Sequence, residues 1–195
     1  MRVLLATVFI LISLLSFEPS FAQTETKHWY SPNHVKLQYA GNNGWLSTGV
    51  GYSFLKKKSW LMDFMYGYVP KSIGGTTIHV LSWKNTFILY RIKINEKVAI
   101  SPTIGINSIF DISNNSDYNL PDKFAEDYYE FNDAMQFYQF IGATVQLKLK
   151  ETYFIKQVDF MAETGALVIH MADMFVNGVR PKDIYSVSLS VNAYF

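Results

Sequence analysis

The run Tyr185-Ser186-Val187-Ser188-Leu189-Ser190-Val191-Asn192-Ala193-Tyr194-Phe195 alternates without a break. Successive side chains of an extended chain point to opposite faces, so Tyr185, Val187, Leu189, Val191, Ala193 and Phe195 share one face. Ser186, Ser188, Ser190 and Asn192 share the other, with Tyr194 its bulky member. A half-buried strand of a soluble sheet alternates in this way. So does a barrel wall in lipid, where one face must be apolar throughout and the other polar. The run ends on the aromatic Phe195, where soluble chains commonly fray into polar residues. That favours the barrel wall.

Seven upstream stretches repeat the pattern. Residues 34–40 set Val35, Leu37 and Tyr39 against His34, Lys36, Gln38 and Ala40. The turn Gly41-Asn42-Asn43-Gly44 is a hairpin signal, because both residue types accept positive φ. Residues 45–55 put Leu46, Thr48, Val50, Tyr52 and Phe54 outward over Ser47, Gly49, Gly51 and Ser53, small enough for a narrow lumen. After the polar turn 56–59, residues 60–69 place Trp60, Met62, Phe64, Tyr66 and Tyr68 outward and Asp63 and Gly67 inward. In residues 78–92, taking Leu81, Trp83, Phe87 and Leu89 as outward places Ser82, Lys84 and Thr86 inside but leaves Asn85 outward. The opposite phase would set Lys84 in lipid, at a cost of about 2–4 kcal/mol at mid-depth.

Residues 98–108 alternate Val98, Ile100, Pro102, Ile104 and Ile106 with Ala99, Ser101, Thr103, Gly105 and Asn107. Pro102 removes a ladder donor, a conflict that a bulge would relieve. Residues 137–149 put Ile141, Ala143, Val145, Leu147 and Leu149 outward and Gly142, Thr144, Gln146 and Lys148 inward. Residues 153–170 put Val158, Phe160, Ala162, Ala166 and Val168 outward and Gln157, Asp159, Glu163 and Gly165 inward. The connections then sort by side. Turns 56–59, 93–97 and 150–152 fall on one side and are short, while the two longest, 111–136 and 171–183, fall on the other. Outer-membrane barrels have this asymmetry, and a β-sandwich has no reason to adopt it.

Arg2, the apolar run 3–15 and the small-residue site Ser20-Phe21-Ala22 read as a signal peptide, 1–22, cleaved before Gln23. The run falls short of the ~20 residues a membrane helix needs. Residues 23–195 are of one-domain length. The chain has no cysteine, which excludes disulfides, thiolate metal sites and a lipid-modified cysteine. A net charge of +1 without a basic stripe argues against nucleic acid as a partner. The 13 Tyr, 15 Phe and 4 Trp suit a barrel whose apolarity is spread over alternate positions. The expected fold is all-β, an eight-stranded antiparallel up-and-down transmembrane β-barrel over 23–195. Its last strand is expected to close on residues 34–40.

The eight stretches, the loop asymmetry, the signal peptide and terminal Phe195 together resemble the small eight-stranded outer-membrane proteins of Gram-negative bacteria. The resemblance spans residues 23–195. It implies outer-membrane lipid and lipopolysaccharide as surroundings, and recognition of the last strand by the assembly machinery. It leaves activity open, because such barrels include adhesins, structural proteins and lipid A-modifying enzymes.

Six ionisable residues take inward positions: Lys36, Asp63, Lys84, Lys148, Asp159 and Glu163. Charges in a lumen need partners, so these are expected to pair and fill the barrel. An eight-stranded barrel is too narrow for a useful channel. Residues 111–136 hold Asp111, Asp117, Asp122, Glu126, Asp127, Glu130 and Asp133 against Lys123. This reads as a solvated surface loop, with a short helical turn over 124–131, and it is the expected contact with an unidentified extracellular ligand. No metal-binding spacing and no cofactor motif is present. His79 and His170 are expected at strand ends on the lipid side. There an imidazole beside a serine would act as general base on a lipid A ester. Lipid A deacylases of this barrel class place serine two residues after histidine; here His79-Val80-Leu81-Ser82 has Leu81 at that place and Ser82 inward. Tyr66, Tyr68, Trp83, Phe87, Phe154, Tyr185 and Phe195 read as aromatic girdles at the two membrane interfaces. The leading expectation is a structural or surface-interaction role through the extracellular loops, with a deacylase-like ester hydrolase as the alternative.

Overall fold

Alternating residues form strands, and the strands close into a cylinder. A computed structural model describes residues 30–113, 135–150, 152–177 and 180–195. The expected signal peptide and most of the acidic loop, including the helical turn expected at 124–131, lie outside the described residues. Eight strands make the wall: β1 (His34–Ala40), β2 (Leu46–Phe54), β3 (Trp60–Val69), β4 (Ile78–Ile88), β6 (Val98–Asp111), β7 (Met135–Lys148), β8 (Gln157–Leu167) and β9 (Ser186–Tyr194). A two-residue strand, β5 (Ile92–Lys93), adds to the edge of β6. Every neighbouring pair is antiparallel; each wall strand pairs with the next wall strand in sequence, β4 directly with β6, and β9 closes on β1. In the closing ladder His34 faces Tyr194 and Ala40 faces Ser188, so the expected all-β, eight-stranded antiparallel barrel and its closure are both present. Short helical segments occupy the connections: a 3₁₀ turn at Lys56–Lys58, α1 (Lys71–Gly74), α2 (Val168–Asn177) and α3 (Pro181–Ile184).

Phe195 N–H donates to Asn33 O at 3.2 Å, which marks the proximal end of the cylinder; the turn at Gly41 marks the distal end. Every Asp, Glu, Lys or Arg of the eight wall strands has inward parity. Outward positions carry Val, Leu, Ile, Phe, Trp and Tyr, with Val187 64% and Ile141 59% exposed. The buried set is mostly polar, including Lys36, Asp63, Lys84, Asp159 and Glu163. This is the reverse of a soluble protein's distribution.

The outward Asn85 is accommodated by Trp60, whose indole N–H donates to Asn85 Oδ1 at 3.1 Å. Three strand assignments change. The fourth stretch ends at Ile88 rather than 92, because the chain leaves the ladder after Leu89 N–H bonds Pro102 O. The same bond explains Pro102 without a bulge. The β6–β7 register runs unbroken through Pro102 and Ala143. A strand residue's N–H and C=O share a side, so the missing donor points where β4 has already ended. The seventh stretch begins at Gln157 and ends at Leu167, with α2 continuing directly from it. The proximal connections consequently run over 55–59, 89–97 and 149–156, longer than expected, while the two longest connections remain distal.

Inward glycines make room for the larger lumen side chains. A Cβ on Gly51 would meet His34 Nε2 and Asp63 Oδ1, and one on Gly49 would meet the Phe64 carbonyl oxygen and Met65 Cα. Backbone cannot yield as a side-chain tip can. Gly49→Val is therefore expected to destabilise the barrel by about 1–3 kcal/mol or prevent closure. Thr48→Val, one residue away and outward, should leave the folded fraction unchanged by circular dichroism and denaturant titration.

Candidate functional site

The lumen is the candidate site, and it is stratified. In its middle, Lys36 Nζ donates to Asp63 Oδ2 at 2.7 Å, and His34 Nε2 lies 2.6 Å from Asp63 Oδ1. Asp63 and Lys84 are direct ladder partners on β3 and β4. Lys84 nevertheless reaches across the lumen to Glu163 on β8, and donates also to Gln38 Oε1 at 2.8 Å. Ser188 Oγ donates to Glu163 Oε2 at 3.1 Å, and the Lys84 ammonium lies 4.4 Å from the Phe140 ring centroid. These ions are essentially sealed from solvent. Such pairs recover their desolvation cost only when every remaining donor and acceptor is met, which Gln38, Ser188 and His34 help to do. The network ties β1, β3, β4, β8 and β9 across the lumen.

Above this layer the lumen turns apolar. Val80, Ile109, Tyr138, Phe140 and Leu167 form a buried cluster. A cavity of about 370 Å³ opens over it at the distal mouth, lined by Ile78, Val80, Ile109 and Leu167, with Asp111 and Gln136 among its polar members. Asn43 of the first turn folds into this end and is buried, accepting Asn107 Nδ2 at 2.8 Å. Gly67 leaves the space, since a Cβ there would meet the Asn43 carbonyl. Towards the proximal end, the His34 and Tyr194 rings meet with centroids 4.7 Å apart and planes tilted by 36°. Gln157 Nε2 donates to Asp159 Oδ1 at 2.6 Å. The layers occupy the middle of the lumen, leaving the cavity at its distal mouth.

Of the six ionisable residues expected inside, the lumen brings together Lys36, Asp63, Lys84 and Glu163. Asp159 is buried lower down, within ion-pair distance of no cation among the described residues. Lys148 corrects the expectation: it has inward parity but is the last residue of β7, past the lumen, and is exposed. Sequence reasoning did not single out His34, Gln38, Asn43, Tyr138 or Phe140. Parity alone marks His34 and Gln38 as inward, whereas Asn43 read only as a turn residue.

The candidate catalytic residues do not converge. His79 sits at the distal end of β4, its Nδ1 2.6 Å from Tyr66 Oη and its ring against Tyr68. Ser82 is buried on the lumen side. Ser113 reaches His79 through the backbone, accepting its N–H at 2.8 Å. His170 lies in α2 rather than at a strand end, because β8 stops at Leu167.

Aromatics collect at both ends of the outer wall. Proximally, Trp60 lies 5.1 Å from Phe54 and 6.0 Å from Phe87, and Phe154 stacks on Phe195 at 5.7 Å. Distally, Tyr39 meets Trp45 at 5.9 Å, Tyr66 and Tyr68 flank His79, and Tyr185 is exposed just before β9. Trp83 departs from the expected girdle: it lies midway along β4, stacked on Phe64 at 6.1 Å. No family model, curated protein or solved structure matches the chain.

Removing one member of a buried pair strands the other. Glu163→Gln is expected to cost about 3–5 kcal/mol, read as a lowered denaturant midpoint. Replacing Lys84 and Glu163 together with methionine should cost clearly less than the single change. Lys148→Gln should leave the midpoint where it was.

Proposed function

We propose that the chain spans the bacterial outer membrane as a closed, non-conducting β-barrel of the small eight-stranded Gram-negative type. Its distal connections then serve a structural or surface-interaction role. The observation that carries this reading is the wall itself: no outward position of the eight strands bears an Asp, Glu, Lys or Arg, and the large exposed outward side chains are apolar apart from Gln139. In water such a surface drives aggregation, whereas in hydrocarbon it is what a spanning barrel requires. Aromatic clusters at both ends suit interfacial depth, and the long connections lie together at the distal end. The signal peptide read at 1–22 supports export. The unbroken apolar–polar alternation of β9, the strand that closes the barrel, supports hand-over to the assembly machinery, with lipid and lipopolysaccharide as the surroundings.

The filled middle of the lumen supports the closed, non-conducting part of the proposal. The alternative of an outer-leaflet lipid A hydrolase gains no support from the placement of His79, Ser82 and His170. Cells with and without the protein are expected to show the same lipid A acylation pattern by mass spectrometry, and a lost or altered acyl chain would restore the enzyme.

The membrane reading is tested by fractionation. The protein is expected only in detergent-extracted outer membrane, with faster gel mobility unheated than boiled; solubility without detergent would end it. In planar bilayers the refolded barrel should add no stepwise conductance. Val50→Lys, at the middle of β2 on the outer face, should destabilise the vesicle-folded form by roughly 2–4 kcal/mol.

A further inference from the structure

The fold gathers at the proximal end a positive charge that the sequence scatters. Lys56, Lys57 and Lys58 occupy the β2–β3 turn, Arg91, Lys93 and Lys97 the β4–β6 connection, and Lys150 and Lys156 the β7–β8 connection, with Lys148 at the end of β7 beside it. All but Arg91 are exposed, and Glu96 is the acid among the described residues of these connections. The lysine turn has an unusual backbone, held by side-chain hydrogen bonds. Leu55, Lys57 and Lys58 have positive φ of 65°, 62° and 53°, values that residues other than glycine rarely adopt. Arg91 holds the turn there: its Nη1 donates to Lys57 O, its Nη2 to Lys58 O at 3.0 Å, and its Nε to Gln146 Oε1 at 2.9 Å. A guanidinium is thus anchored beneath three successive lysines. Three successive exposed ammonium groups repel one another unless an anion offsets them.

What surrounds the cations indicates the occupant. Between them the same connections expose Leu55, Leu89, Tyr90, Ile94 and Phe154. The proximal aromatics Phe54, Trp60 and Phe87 lie at the adjoining end of the wall. Lysines interleaved with apolar side chains just past an aromatic belt match the depth where acyl chains give way to phosphates. A hydrated anionic polymer would satisfy the lysines and leave the apolar side chains in water.

Resting on the membrane-spanning reading, we propose that the proximal ring is a binding surface for anionic phospholipid headgroups, with lipid phosphodiesters seated against Lys56, Lys57, Lys58 and the cations of the neighbouring connections. Arg91 positions the turn, and the exposed lysines supply the contacts.

The test uses the full chain refolded into phosphatidylcholine vesicles containing a minority of phosphatidylglycerol. Heat-modified gel mobility reports whether the barrel has inserted. Spin-labelled phosphatidylglycerol and phosphatidylcholine then report which lipid the inserted barrel holds. Wild type is expected to favour the anionic label by about fivefold or more, roughly the effect of one lysine beside an anionic surface, and to lose the preference in high salt. Lys56→Gln, Lys57→Gln and Lys58→Gln combined should bring the preference toward one with gel mobility unchanged. Lys71→Gln, at the distal end, should not alter it. An inserted barrel with equal affinity for the two labels overturns the headgroup proposal while leaving the membrane reading intact, and so does retention on isolated peptidoglycan without lipid preference. A chain that never shows the heat-modifiable form overturns the membrane reading, and the headgroup proposal with it.

Discussion

Eight strands wound into a closed sheet enclose a space only about one layer of side chains wide, and every inward residue must share it. That narrowness governs the rest of the molecule. It forces glycine where a neighbour needs room, as at Gly51 beneath His34 and Asp63. It sets ions from opposite walls within bonding reach, so that Lys84 bridges to Glu163 although Asp63 is its ladder partner. It also leaves the middle filled, with Tyr138 and Phe140 above the ion network and Tyr194 below it. A wider barrel of the same composition would leave these ions to water and would need none of the pairing.

Pairing inside and apolarity outside are two sides of one requirement. If the wall faces hydrocarbon, no charge on the strands can escape to solvent sideways. Each must be paired within the lumen, held there by hydrogen bonds as Asp159 is by Gln157, or carried past its end. Lys36, Asp63, Lys84 and Glu163 take the first course, and Lys148 the last. The buried hydrogen-bonding side chains Gln38 and Ser188 each add a contact to these ions, to Lys84 and Glu163 respectively. They are therefore part of the electrostatic solution as much as the ions themselves.

Most of the wall was legible in the sequence because its code is local. A two-residue period needs no knowledge of partners, and it identified the inward ions, the outward apolar set and the strand that closes on residues 34–40. The departures arise where structure depends on something distant. Pro102 needs no bulge because another strand ends beside it. His170 sits in a helix because β8 stops early, although its residues continue to alternate. Asn43 lies in a turn whose backbone pattern is legible, but its burial depends on Gly67 of β3 and Asn107 of β6. The proximal ring of cations was invisible as a stripe because three separate connections contribute to it. Which ions pair, and across which diameter, is likewise a property of the closed cylinder rather than of any one strand.

The closing ladder joins the first wall strand to the last, with His34 opposite Tyr194. All other wall ladders link consecutive strands and can form as each new hairpin docks. This one must wait until the whole sheet has curled, since its partners are separated by nearly the entire barrel sequence. Such high-contact-order steps are slow, and until this one is complete β1 and β9 remain unpaired edges open to any other extended chain. The folding hazard of the molecule is therefore concentrated at one seam. A factor that occupied the serine-rich strand β9 and released it only to β1 would protect the barrel at its most vulnerable moment.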